Sequence, residues 1–461
     1  MNIVFIIRRH NFFKFLASII EETLKRGHEV ECWHDLTHPT GGMKGYLYPA
    51  IEKSPFYNGG HNNLKIKEIN EERGFEQLLG EKLVKDDIDF FVGLEQLNAH
   101  LKESLKEYLN GKWCIIMHGI DTFGEVQILP LVKHFKYKRY CFVYSEYFFQ
   151  FGIEWIKKYF PEKSYYFETN YTSVVPIGCT IIGNRNKLSN IDSGEIRRKY
   201  GIPANKNIVI YLPFTGNEKI PTNKNQALVE AFTGIIYNKY KSRSIIITNN
   251  SWKSYLRFII RKIYCYIAIF MFKESRLLMI KRYNESRLFR EIRKFCAKNN
   301  LLLVVKPRLK LPVVDSIKNN ADIFIIDEEK NQYPTVLQEL LSIADLTIGG
   351  YSNAALESVS FGVPYVVIKV SDFMFDHEAH RSIYPNDSGS MFNFKSAVNH
   401  WDASTVFSDF RNMSIKDFKI DPKDKEEYLE KFVGPLEETA AIRFCNYMEN
   451  ILCPKTNIDP S

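Results

Sequence analysis

Gly349, Gly350, Ser352, Asn353 and Glu357 fall within nine residues of one another, and their order suits an anion-binding turn. Two glycines let the backbone bend sharply after an apolar strand. Ser352 is a favoured helix N-cap, and a helix over about 353–361 would point its unpaired N–H groups toward phosphate. A carboxylate at position 357 stands about one turn into that helix, where it can accept hydrogen bonds from a ribose diol. Gly362 ends the helix, and Pro364 leads into the next buried strand. The competing reading is an ordinary helix between two strands, with Glu357 on its surface.

Three further groups follow apolar runs. Arg8, Arg9 and His10 come directly after Ile3–Ile7; paired arginines suit bidentate phosphate recognition, and a positively charged surface turn is the alternative. His118 follows Cys114–Met117, with Gly119 and Asp121 beside it. An imidazole suits general-base work near neutral pH. Gly119 lets the chain approach a ligand, while Asp121 could orient the ring or act as the base itself. A structural histidine is the alternative there. Lys306, Pro307 and Arg308 follow Leu301–Val305, and Lys310 extends the basic cluster. Within 327–335 no residue is assigned a role.

No metal is expected. Asp87 and Asp89 spell D-x-D, but they cap the start of a strand, the wrong end of a sheet for a nucleotide-bound cation. His377 and His380 lack the H-E-x-x-H pattern of a zinc helix; Asp376 and Glu378 suit helix capping or donor hydroxyls better.

These groups need strand ends to hold them. The first half alternates apolar strands with helical spacing: strands at Ile3–Ile7, Glu29–Trp33, Ile88–Val92, Cys114–Met117, Cys141–Tyr144 and Ser173–Val175, and a helix face from Phe12 to Leu24 ended by Gly27. Such alternation predicts a parallel, doubly wound sheet. Near 190 a polar linker, a charged helix and the turn GIPANKN precede a second series: Ile208–Leu212, Ile245–Thr248, Leu301–Val305, Ile323–Ile326, Leu346–Ile348 and Tyr365–Val370. Pro334 fits the first turn of a helix before the glycine motif. Residues 425–450 read as one amphipathic helix, and 454–461 as a frayed tail.

The arrangement G-x-S-x4-E-x4-G-x-P, at Gly350, Ser352, Glu357, Gly362 and Pro364, resembles the donor site of GT-B glycosyltransferases and their relatives. Those relatives include CDP-glycerol glycerophosphotransferases, of the capsule and surface polysaccharide biosynthesis group, and UDP-N-acetylglucosamine 2-epimerases. The resemblance implies an α/β GT-B fold of two Rossmann-like domains facing across a cleft. The expected acceptor-side domain covers 1–190, the nucleotide-donor domain 191–425, and a closing helix over 426–453 crosses back to the first. It implies that the Arg8–His10 loop faces the cleft and touches acceptor or donor phosphate, and that His118 is the base toward the acceptor hydroxyl. It also implies that Lys306 and Arg308 counter leaving-group charge. In the resembled families the last of these places usually carries a histidine, so Arg308 is a departure that weighs against glycerol-phosphate transfer. GT-B enzymes generally need no metal, so no cofactor is implied beyond a nucleotide-activated substrate.

The chain has 461 residues, 45% hydrophobic and 25% charged, enough for two α/β domains with ordinary cores. Eight cysteines without a C-x-x-C pair read as reduced thiols of a cytosolic protein. MNIVFIIRRH is too short an apolar run for a signal peptide, and no apolar stretch reaches membrane-spanning length. Net charge is +8, yet Lys239–Lys298 holds sixteen Lys/Arg against three Glu, so the rest of the chain is net acidic. Within that island, at about 250–290, a helical insertion aligns Lys253, Arg257 and Arg261 opposite Trp252, Leu256, Ile259 and Ile263. It suits a helix lying on an anionic membrane surface, at the inner face of the cell membrane, or one packed on the second domain. No nucleic-acid motif is present.

The expected function is glycosyl transfer from a nucleotide-activated donor to a surface-glycan or lipid-linked acceptor. The alternatives are a CDP-glycerol-type phosphotransferase, a nucleotide-sugar epimerase and a non-catalytic GT-B-like binding scaffold.

Overall fold

The computed structural model describes residues 1–37, 49–70, 72–85, 87–94, 107–119, 137–159, 161, 171–184, 192–213, 285–307, 313, 315–326, 333–369, 387–402, 406 and 408–453. Residues 250–284 of the insertion expected over about 250–290, the strand expected over 245–248, and Asp121, Arg308, Lys310, His377, His380 and the tail 454–461 lie outside the described residues.

Seven strands form the first sheet: β1 Asn2–Ile7, β2 Glu29–Asp35, β3 Leu64–Ile69, β4 Phe90–Gly93, β5 Trp113–Ile116, β6 Arg139–Val143 and β7 Thr172–Pro176. Their order is β3-β2-β1-β4-β5-β6-β7, and every pairing is parallel. Strands β4, β5 and β6 are buried along their whole length, and apart from Arg139 at the start of β6 they read as apolar runs. Helix α1, Phe13–Lys25, buries Phe13, Leu16, Ile19 and Ile20 and stops where Gly27 takes φ 80°. Helices α2, Glu72–Val84, and α3, Glu146–Tyr159, follow β3 and β6.

After the short helix α4, Ser193–Lys199, capped by Asp192, the second sheet opens. It contains β8 Ile208–Tyr211, β9 Leu302–Val305, β10 Ile323–Phe324, β11 Leu346–Gly349, β12 Tyr365–Lys369 and β13 Val398–Asp402. The order β10-β9-β8-β11-β12-β13 repeats the first sheet's plan, again all parallel. Helix α5, Glu285–Lys298, precedes β9, and α6, Val336–Leu341, precedes β11. A capping box starts α6: Thr335 Oγ1 accepts the Gln338 N–H while Gln338 accepts the Thr335 N–H. Pro334 therefore lies before the cap and not in the first turn. Helix α7, Ala354–Ser360, joins β11 to β12 with all seven residues buried.

Residues 425–450 are two helices instead of one. Helices α8, Pro422–Phe432, and α9, Ala440–Leu452, are separated where Gly434 takes φ 105° and Pro435 follows. A Cβ on Gly434 would sit 1.9 Å from the Tyr144 carbonyl oxygen, so the chain crosses the end of β6 too closely for a side chain. Helix α9 then lies on the first lobe. Glu449 accepts from Arg26 Nη1 at 2.9 Å and meets His28 Nε2 at 2.8 Å, while Phe444 packs on Phe142 at 4.9 Å. Residues of the first sheet, α7, α8 and α9 form one continuous apolar core.

Six of the described cysteines are free and buried; Cys453 is exposed. Burial pushes the Cys32 thiol up to about 12 and that of Cys141 to about 11, so these are packing groups and not nucleophiles. No described helix is long and apolar enough to cross a membrane.

Candidate functional site

In a doubly wound sheet, ligands bind beyond the carboxyl ends of the strands where the strand order reverses. The reversal lies between β1 and β4 in the first sheet and between β8 and β11 in the second. Arg8–His10 follow β1 directly, and Gly350–Asn353 follow β11. His118 stands two residues beyond β5, and Lys306 one residue beyond β9. Arg8–His10 and the glycine turn therefore lie at the two reversals, while His118 and Lys306 lie at the carboxyl ends of strands one place further out.

The glycine turn after β11 is built differently from the simplest reading of its glycines. Neither Gly349 nor Gly350 has a positive φ. Gly349 is small because a Cβ there would lie 2.4 Å from the Tyr365 hydroxyl and 3.3 Å from Leu212 Cβ. That hydroxyl donates to the Gly350 carbonyl at 2.8 Å, so a buried tyrosine fills the space under the turn. Ser352 does cap α7: its Oγ accepts the Ala354 N–H at 3.3 Å, and its carbonyl accepts that of Ala355 at 3.0 Å. Two of the N–H groups expected to face a phosphate are thus engaged by the serine.

Asn353 has helical dihedrals, φ −57° and ψ −14°, and makes no side-chain cap bond. Its amide Nδ2 instead donates to the His118 carbonyl at 2.8 Å, across the junction of the two lobes. The half-buried His118 ring lies 5.7 Å from Phe15, edge-on, and 6.1 Å from Phe12. Phe12 belongs to the same loop as Arg8–His10, and Arg9 lies over its ring at 5.7 Å. The β1 loop, His118 and the donor turn are therefore neighbours.

Two further side chains span the junction. Gln338 Nε2 donates to the Ile181 carbonyl at 2.9 Å, and the Tyr333 hydroxyl to Glu21 at 2.6 Å. Burial, reinforced by the Glu21 charge, pushes the Tyr333 hydroxyl well above its ordinary range, so it stays a donor.

Not every group faces outward as expected. Arg8 is 4% exposed and donates from Nε to Asp35 at 3.2 Å, a pair turned into the first lobe. His10 is fully buried, which leaves half-buried Arg9 as the more accessible member of that loop. Glu357 does stand in the first turn of α7, but its residue is 3% exposed. It lies close enough to the first lobe to help raise the Cys179 thiol to about 12, burial being the main cause. Lys306, 8% exposed, is separated from β11 by β8 in the sheet order.

Sequence reasoning missed one pair at this site. The Tyr351 hydroxyl lies 2.6 Å from His400 Nε2, and the Tyr351 ring meets Phe392 edge-on at 5.1 Å. Forty-nine residues separate the partners, and only the register Gly349–Val367–His400 across three strands brings them side by side. No local spacing could have revealed it.

No protein-family model matches the sequence, and no curated protein matches it. Solved structures do, over nearly the whole chain. The wall teichoic acid polymerase TagF aligns with a TM-score of 0.52 at 12% identity, covering 98% of this chain and 88% of that one. A variant of the same polymerase gives 0.51 at 10% identity, with 99% and 90% covered. The fold is GT-B-like. Another TagF variant, soaked with CDPG, aligns at 0.50 with 12% identity, over 98% of this chain and 88% of its own. At 10–12% identity the property this GT-B-like chain shares with TagF is the arrangement of its two lobes.

Proposed function

We propose that the chain is a metal-independent transferase that takes a glycosyl group from a nucleotide-activated donor and passes it to a surface-glycan or lipid-linked acceptor. The observation that carries this reading is the meeting of His118 and the donor turn at 2.8 Å across the lobe junction. A base on one lobe and a phosphate-holding turn on the other, both at carboxyl strand ends, supply the two halves of a group transfer.

In this reading the donor diphosphate lies against the Gly350–Asn353 turn, with Lys306 and Arg308 offsetting charge on the leaving group. His118 removes the acceptor hydroxyl proton as the new bond forms, and Asp121 steadies the imidazole. Arg9 is the member of the first loop best exposed for an acceptor or donor phosphate. Glu357 is covered in the closed arrangement, so contact with a ribose diol needs the lobes to part and reclose on the donor.

A second reading, transfer of glycerol phosphate from a CDP-activated donor, is favoured by the likeness to TagF and by the CDPG in one of its structures. Arg308 weighs against it, because a guanidinium does not donate a proton at neutral pH where the resembled families carry a histidine.

Calorimetric titration with UDP, GDP, CDP and CMP distinguishes these. The expected result is binding of one diphosphate: UDP or GDP for the first reading, CDP for the second. Glu357→Gln should weaken that binding about tenfold or more, the worth of a charge-assisted hydrogen bond. His118→Gln should leave nucleotide affinity intact. A folded protein that binds none of the four is a scaffold, and the proposal fails.

A further inference from the structure

We infer that Asn353 is a positioning residue for His118: its amide fixes the peptide plane behind the imidazole and so couples the donor turn to the orientation of the base. The inference rests on the transferase reading above for the role of His118 and of the turn.

Asparagine at the start of a helix ordinarily caps it, accepting an N–H from the first turn with an extended backbone. Here Ser352 performs that task, and Asn353 already has helical dihedrals. Its side chain is released from local duty and reaches a residue 235 positions away in sequence, on the other lobe. The atom it holds is the carbonyl oxygen between His118 and Gly119. Glycine on the far side of that peptide imposes little restraint on its rotation, so the plane needs an external fix. The donated hydrogen bond provides one.

The ring itself sits in an aromatic slot beside Phe12 and Phe15, both from the start of the first lobe's opening helical segment. With the slot fixed by α1 and the peptide plane fixed by Asn353, the imidazole has little freedom left. Any shift of the donor turn on loading is then passed to the base through one hydrogen bond of 2.8 Å. The junction does not depend on this bond alone. Gln338 to Ile181 and Tyr333 to Glu21 also tie the lobes, so loss of the Asn353 amide should leave the protein folded.

The test uses the full chain with nitrogen-15-labelled histidine, observed by NMR, with the His118 signal assigned through His118→Gln. Asn353→Asp keeps the shape but replaces the donor by an oxygen facing the His118 carbonyl; Asn353→Ala removes it. Both should displace the His118 ring signals while those of His28, beside Glu449, and His34 stay in place. CDP, UDP and GDP are the probes. Whichever binds should move the His118 signals in the unmodified protein and fail to do so in Asn353→Asp at saturation.

The inference is overturned if His118 responds to the bound diphosphate alike in the unmodified protein and in the variants. It is also overturned if Asn353→Asp leaves the His118 signals of the free protein unchanged. If none of the three diphosphates binds the unmodified protein, the transferase reading fails instead, while the free-protein comparison still decides whether Asn353 positions His118.

Discussion

Gly349 has no side chain because the Tyr365 hydroxyl occupies the space a methyl group would need. Tyr365 is fully buried and tied to the Gly350 carbonyl, so it cannot swing aside cheaply. Gly349→Ala should cost roughly 1–3 kcal/mol by overpacking. Removing the hydroxyl in Tyr365→Phe should recover part of that loss, so the double variant is more stable in urea than the sum of the single changes implies. Strict additivity would contradict the packing explanation. The glycine itself was readable in sequence, and so was the Ser352 cap, because both follow from local rules. The reason for the glycine was not, since Tyr365 sits a strand away. The inward turn of Arg8 toward Asp35 was hidden for the same reason: charge next to a strand end says nothing about which way the side chain faces.

Strands β3 and β13 escaped the pattern that found most of the others. Both are edge strands, and LKIKEI and VNHWD carry polar residues where strands such as FFVG and WCII are wholly apolar. What holds β3 in place is partly electrostatic. Glu31 on β2 accepts from Lys82 of α2 at 2.7 Å and lies 2.9 Å from Lys67 of β3, with Trp33 Nε1 donating as well. Burial works against ionisation, but these donors outweigh it and hold the carboxyl down at about 2. A depressed carboxylate stabilises the fold above its unfolded pKa of about 4.5 and loses that contribution as pH falls toward 2. The first lobe should therefore lose stability over that window. Glu31→Gln should remove roughly 2 kcal/mol at pH 7, discounted for the exposed Lys67, and flatten the acid dependence. An unchanged acid profile in Glu31→Gln would contradict this. The break between α8 and α9 is likewise an element-level fact that periodicity concealed, because both helices continue one amphipathic pattern. Gly434→Ala combines a strained φ with a backbone clash and should cost several kcal/mol, exposing α9 to proteolysis. Normal protease resistance in that variant would refute the close-approach account.

The alternation of strands and helices revealed two doubly wound halves, and the topology repeats the same strand order in each. How the halves meet was not legible, since Asn353–His118, Gln338–Ile181 and Tyr333–Glu21 join residues 157 to 312 positions apart. Nor did the sequence reveal that α7 would be buried throughout, Glu357 included. At the junction the glycine turn and the backbone of His118 come within one hydrogen bond. A nucleotide entering there must change the exposure of both lobes at once. Hydrogen–deuterium exchange with the tightest-binding nucleoside diphosphate tests this most directly. The account predicts altered protection in two separate stretches together, 349–357 and 113–119, with little change at the distant edge strand β3. Protection confined to one lobe, or located away from both stretches, would contradict a nucleotide site at the junction.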